Sequence, residues 1–136
     1  MAQDHVFDTS VVIAFLKDEP GAQNVEDIIL ESKKSSASLF ITTINLGEIW
    51  YTMARQRVDA DAVVSQIMTL GILPVDLTWN IAREAASLRL KTKQSYADCC
   101  AAACAKILKL PLVTCDNDFK VFEREVKIQW VKGHHT

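Results

Sequence analysis

Five short apolar runs, spaced by stretches of helical length, constrain this chain more than any other feature. His5-Val6-Phe7, Leu39-Phe40-Ile41-Thr42, Ile72-Leu73-Pro74-Val75, Leu112-Val113-Thr114 and the run from Val126 to Val131 have the length and residue types of strands. Between them, apolar residues recur at helical spacing. One helix is expected from Val11 through Leu16, capped by Ser10 and ending near Pro20-Gly21. Others follow at Ala22 to Lys34, Thr43 to about Arg57, Asp59 or Asp61 to Gly71, Thr78 to Leu90, and Tyr96 to Lys109. Pro74 cannot donate to a ladder, which makes the third run an edge strand. Strands alternating with helices, without hairpin signals, specify an α/β fold with a mainly parallel five-stranded sheet flanked by helices. At 136 residues the chain reads as one domain, 1–136.

Composition narrows the function. A hydrophobic fraction of 49% with 24% charged residues excludes intrinsic disorder. The longest apolar run, Cys99 to Ala105, is far short of the roughly 20 residues that span a bilayer. Acidic Asp4 stands where a signal peptide would be basic, so a soluble, cytoplasmic protein without membrane association is expected. A net charge of -2 argues against a surface coated in positive charge, though a local basic patch stays open. The four cysteines, Cys99, Cys100, Cys104 and Cys115, form no CxxC pair and no zinc-ligand spacing. They read as buried free thiols, suited to a reducing compartment. Neither a dinucleotide fingerprint nor a phosphate-cradling loop is present. Histidine occurs only at His5, His134 and His135, none beside a nucleophile at a strand end, so a catalytic triad has no support.

The acidic residues point elsewhere. Asp8 ends the first strand, Asp116 follows the fourth, and Asp118 lies just beyond it. Ligand sites of parallel α/β sheets form outside the carboxyl ends of the strands, so these acids share an edge. Glu48, in the helix leaving the second strand, and Asp98, in the first turn of the helix before the fourth, can lean over the same edge. Carboxylates gathered there repel one another, and a bound cation offsets that repulsion. Oxygen-only ligands suit Mg²⁺ or Mn²⁺. Such an ion polarises a phosphodiester and lowers the pKa of an attacking water, so the reaction class implied is phosphodiester hydrolysis. Each acid also has a structural reading. Asp8 suits a helix cap, Asp116 an Asx turn within Asp116-Asn117-Asp118, Asp98 a capping box opened by Ser95, and Glu48 a solvated face shared with Arg55.

Four segments taken together resemble a known family. They are Val6-Phe7-Asp8-Thr9-Ser10-Val11-Val12, Asn45-Leu46-Gly47-Glu48, Tyr96-Ala97-Asp98 before an Ala-rich helix, and Leu112-Val113-Thr114-Cys115-Asp116-Asn117-Asp118-Phe119. In order and spacing they resemble the four motifs of PIN domains, across essentially the whole chain. At this length the chain most resembles the VapC-like ribonuclease toxins of type II toxin–antitoxin pairs. The resemblance implies a Rossmann-like sheet, RNA cleavage dependent on Mg²⁺ or Mn²⁺, a homodimer and a small antitoxin partner. It also implies an acidic quartet of Asp8, Glu48, Asp98 and Asp116. Asp8 and Asp98 are expected as direct metal ligands, with Glu48 and Asp116 completing the shell through waters or holding a second ion. Asp118 matches a frequent additional acid, and Ser10 and Thr114 match polar positions that orient the carboxylates. Cys115 reads as packing.

Two other enzyme classes fit less well. A haloacid-dehalogenase-type phosphatase needs a second Asp two positions after the first, where this chain has Ser10. A receiver-type phosphoacceptor needs an adjacent acidic pair on the first loop, which is missing. The alternative from another class is a PIN-like module that binds RNA or protein without cleaving. Arg83, Arg89, Lys91 and Lys93, in the segment leading to Asp98, are expected RNA contacts, the competing reading being a helix end with basic residues near its C-terminus. Trp50, Tyr51 and Met53 are expected to offer apolar surface for a dimer, and the antitoxin to insert a basic side chain among the carboxylates.

Overall fold

The computed structural model describes residues 3–131; His134 and His135 lie outside them. Five strands are formed: β1 (His5–Phe7), β2 (Leu39–Thr42), β3 (Ile72–Val75), β4 (Leu112–Thr114) and β5 (Ile128–Trp130). The helices are α1 (Thr9–Leu16), α2 (Ala22–Ser35), α3 (Thr43–Arg55), α4 (Ala60–Thr69), α5 (Trp79–Thr92) and α6 (Tyr96–Leu108). A 3₁₀ helix, Asn117–Phe122, follows β4. Every pairing is parallel, in the order β3-β2-β1-β4-β5. Pro74 therefore sits on an edge strand, as its missing amide requires. The chain builds β1, β2 and β3 outward in one direction and then returns to place β4 on the other side of β1. Strand order thus reverses between β1 and β4, where parallel sheets open a crevice at their carboxyl ends.

The period of two along each strand divides the core. Phe7, Leu39, Ile41 and Val113 pack one face against α1, α2, α3 and α4. Val6 and Leu112 pack the other against α5, α6, Phe119 and Phe122. In α6, every residue from Cys99 to Ala105 is fully buried. Small alanine and cysteine side chains let this helix lie close to the sheet. All four thiols are free and buried, as the sequence suggested.

Some boundaries differ from the sequence reading. Helix α1 ends at Leu16, before Pro20, because Asp18 adopts a left-handed conformation (φ 53°) and the amide of Glu19 closes back on the Ala14 carbonyl. Ser10 does not cap α1. Asp8 does, from an extended backbone (φ -91°, ψ 176°) that carries its carboxylate over the amide of Val11. Ser10 lies inside the first turn. No helix among the described residues is long and apolar enough to cross a membrane.

Candidate functional site

The crevice between β1 and β4 begins with Asp8, which is 2% exposed. Its carboxylate has no idle oxygen. Ser10 Oγ donates to Oδ1 at 2.8 Å and lies 3.0 Å from Oδ2, the Val11 amide donates to Oδ1 at 3.2 Å, and Thr114 Oγ1 donates to Oδ2 at 2.8 Å. Burial pushes its pKa up to about 7 against the pull of those hydrogen bonds, and the charge of Asp98 adds to the rise. The Cys115 thiol is buried against Ser10 Oγ at 3.4 Å, which is a packing position.

Across the crevice stand Asp98, Asp116 and Asp118. One carboxylate oxygen from each lies within 4.8 Å of the other two. Asp98 comes from the first turn of α6, whose N-terminus Ser95 caps by accepting from the Asp98 amide at 3.2 Å. Asp116 caps the 3₁₀ helix and accepts from the Asp118 amide at 2.9 Å, while its own amide donates to Thr114 Oγ1 at 3.0 Å. Thr114 thereby ties Asp116 to Asp8. The pKa of Asp98 is raised to about 6, by burial first and then by Asp116, with smaller contributions from Glu48 and Asp118. Three crowded carboxylates, one resisting ionisation, form an all-oxygen donor set that fits a hard divalent cation.

Glu48 approaches from α3. Its Oε1 accepts from Thr9 Oγ1 at 2.7 Å and from the Asn45 amide at 3.3 Å. Asn45 is 1% exposed; its side-chain amide also reaches Thr9 Oγ1 at 3.1 Å and the Ala97 carbonyl at 3.4 Å, and Thr42 Oγ1 donates to its Oδ1. One buried amide thus ties α1, α3 and α6 together beside the carboxylates. Thr9 and Asn45 were not among the expected site residues. Both did stand in the family-like segments, Thr9 directly after Asp8 and Asn45 three residues before Glu48, which was the available signal.

All five acids border one crevice, but unequally. Asp98, Asp116 and Asp118 form the close group, Asp8 is buried beside it with three donors on its carboxylate, and Glu48 is held from the flank. Of the four basic residues, Lys91 is turned to Glu125 at 3.5 Å. Arg89 and Lys93 lie at the end of α5, near the turn into α6, and Arg83 is exposed further back. None forms an ion pair with a crevice carboxylate among the described residues. On α3, Trp50 and Tyr51 are exposed, but Met53 is not: it faces the core at 4% exposure and offers no dimer surface. At helical spacing the face carrying Met53 turns inward with Ile49 and Leu46. Trp79 and Leu90 of α5, unremarked in the sequence, are far more exposed.

Residues 5–125 match the family model of the PIN domain. The chain belongs to the PIN domain family. Solved structures of the same fold include VapBC2 from Rickettsia felis bound to a DNA fragment from its promoter, with TM-score 0.71, 18% identity, and coverage of 96% of this chain and 100% of that one. DNA-bound VapBC from Salmonella typhimurium aligns with TM-score 0.67 and 20% identity over 96% and 98% of the two chains. VapC20 from Mycobacterium tuberculosis, described as a sarcin-ricin loop cleaving toxin, aligns with TM-score 0.61 and 16% identity over 85% and 92%. No curated protein matches the chain. At these identities the likeness to this PIN domain is one of fold.

Proposed function

We propose that this PIN domain is a divalent-metal-dependent endoribonuclease and the toxin of a toxin–antitoxin pair. The observation that carries the reading is the approach of Asp98, Asp116 and Asp118 within 4.8 Å at the strand-order reversal. Asp98, expected with Asp8 as a direct ligand, would hold Mg²⁺ or Mn²⁺ together with Asp116 and Asp118. Asp8 would join from its buried place beside them, and Glu48 would complete the shell. Bound there, the ion supplies a Lewis acid to the phosphodiester and lowers the pKa of the attacking water. Ser10 and Thr114 aim the oxygens of Asp8, and Thr9 and Asn45 fix Glu48. Arg89 and Lys93 stay candidates for phosphate contact at the α5–α6 turn; Arg83 is more remote and Lys91 is engaged by Glu125.

Fold likeness to VapBC complexes supports a small antitoxin partner, whose inserted basic side chain would replace the charge of the ion. Exposed Trp50, Tyr51, Trp79 and Leu90 support a homodimer. Four buried thiols suit the reducing cytoplasm. The test is cleavage of RNA by protein stripped with EDTA and then resupplied with Mn²⁺ or Mg²⁺. Loss and recovery of cleavage is the expected result. Full activity of the stripped protein overturns the metal requirement, and tight RNA binding without cleavage under any ion makes the chain a binding module.

A further inference from the structure

A polyanionic strand approaching a crevice of carboxylates, on a chain of net charge -2, needs positive charge close by. Two lysines near α6 are already committed: Lys106 bonds Glu125 at 2.7 Å and Glu84 at 3.0 Å, and Lys91 bonds Glu125. Two other cations stand in and just beyond the 3₁₀ helix that carries Asp118. Lys120 and Arg124 are exposed and enter no ion pair among the described residues. In a 3₁₀ helix, residues three apart align in rows. Phe119 and Phe122 form the buried row. The row from Asp118 through Val121 leads on to Arg124, and the row from Asn117 through Lys120 leads to Glu123.

Glu123 accepts from Trp130 Nε1 at 3.3 Å. Trp130 ends edge strand β5, in register with Thr114, the residue that holds both Asp8 and Asp116. Its side chain is a large apolar ring left 39% exposed at the same carboxyl edge as the crevice. The bond to Glu123 satisfies the indole nitrogen and holds the ring in place, which reduces the ordering cost of stacking on it.

We propose that Trp130, Lys120 and Arg124 form a docking strip for single-stranded RNA, leading away from the carboxylates along the 3₁₀ helix. A base stacks on the indole while the two cations take phosphates. The strip deepens the nuclease reading and rests on it. Its test is the binding of a short, unstructured, labelled single-stranded RNA to the full chain in EDTA, by fluorescence anisotropy across a salt series. Cleavage in Mn²⁺ is measured in parallel. Stacking and charge separate cleanly in such data. Trp130→Leu, which keeps apolar bulk without a π face, should weaken binding about ten-fold and leave the salt slope unchanged, while Trp130→Phe should retain most of the affinity. The exposed pair Lys120→Ala/Arg124→Ala should flatten the slope by about 1.4, about 0.7 for each lost phosphate contact. Wild-type affinity in Trp130→Leu, or an unchanged slope in the double variant, overturns the strip if the wild type binds and cleaves RNA. A wild type that neither binds nor cleaves RNA overturns the nuclease reading and the strip with it.

Discussion

Asp8 does two things with one carboxylate: it closes the N-terminus of α1 and it brings to the crevice an acid that burial makes slow to give up its proton. Asp116 also closes the 3₁₀ helix and joins the crevice group. The structural and functional readings of these acids therefore coexist, because a helix N-terminus is itself a favourable place for a carboxylate. Asp98 is different. Ser95 supplies the cap through its hydroxyl, and no bond returns from the Asp98 carboxylate to the Ser95 amide among the described residues. The Asp98 carboxylate, which the Ser95 side chain also helps to keep charged, is therefore not needed to close the helix. Asp98→Asn is expected to fold, to lose stabilisation by Mn²⁺, and to lose RNA cleavage. The pH dependence of the metal-free protein gives a second readout. Asp8 and Asp98 hold protons up to about pH 7 and 6 in the fold, whereas a free aspartate releases its proton near 3.8. Between those limits the folded state binds more protons than the unfolded one, so stability falls as pH rises. Melting in EDTA should show a higher midpoint at pH 5 than at pH 8, with a smaller difference in Asp98→Asn. An equal midpoint at both pH values, or a variant that cleaves normally, would return Asp98 to a helix-end role. Asp8 and Asp116 were legible in the sequence because a charged residue just after an apolar strand is unusual, whereas Glu48 and Asp98, which lie in helices, were singled out by helix position and by the family resemblance. Thr9 and Asn45 were not legible, because their partners Glu48 and Ala97 lie 39 and 52 residues away.

At the scale of elements, α6 sets the geometry of the crevice. Its first turn carries Asp98, while its buried alanines set how near the helix lies to the sheet and to the 3₁₀ helix bearing Asp118. Ala102→Leu would force a larger side chain into a fully buried position. The expected cost is about 1–3 kcal/mol of stability. Displacing α6 also moves Asp98 away from Asp116 and Asp118, so Mn²⁺ affinity should fall along with the melting midpoint. Calorimetric titration with Mn²⁺ on the folded variant measures it, and unchanged affinity would mean that α6 does not set the carboxylate spacing. Strands and long helices could be read from the chain because apolar period and caps repeat over several turns. The 3₁₀ helix could not. Six residues are too few to show a period, and its place is set by Phe119 and Phe122 packing under α6.

The whole molecule leaves much apolar surface in water. Trp79 is 74% and Leu90 84% exposed on α5, with Trp50 and Tyr51 on α3 and Leu73 on edge strand β3. Trp79 and Leu90 on one side of the sheet, and Trp50 and Tyr51 on the other, are large exposed apolar groups of the kind a second copy of the chain would cover. A dimer is therefore expected by light scattering at micromolar concentration, and Trp79→Glu should shift it toward monomer. Because Trp79 is largely outside the core, that substitution should change the stability of the monomer by no more than about 0.5 kcal/mol. A monomeric wild type would remove the dimer from the functional reading.

By itself the sequence determined the α/β class, the parallel connection of the strands, the edge placement of Pro74, and the positions of Asp8 and Asp116 just beyond β1 and β4. All of these follow from local chemistry: side-chain period, a missing amide, a carboxylate after a strand. Tertiary structure alone decided which carboxylates meet. Asp98, Asp116 and Asp118 close to within 4.8 Å because α6 and the 3₁₀ helix pack on one face, whereas Asp8 is drawn into the bonds of Ser10, Val11 and Thr114. It also decided that Met53 faces inward while Trp50 and Tyr51 do not, since a helix turns through 100° per residue and only the packed partner says which side is the core. Contacts between residues far apart in the chain depend on how the elements dock, and no local pattern encodes that distance.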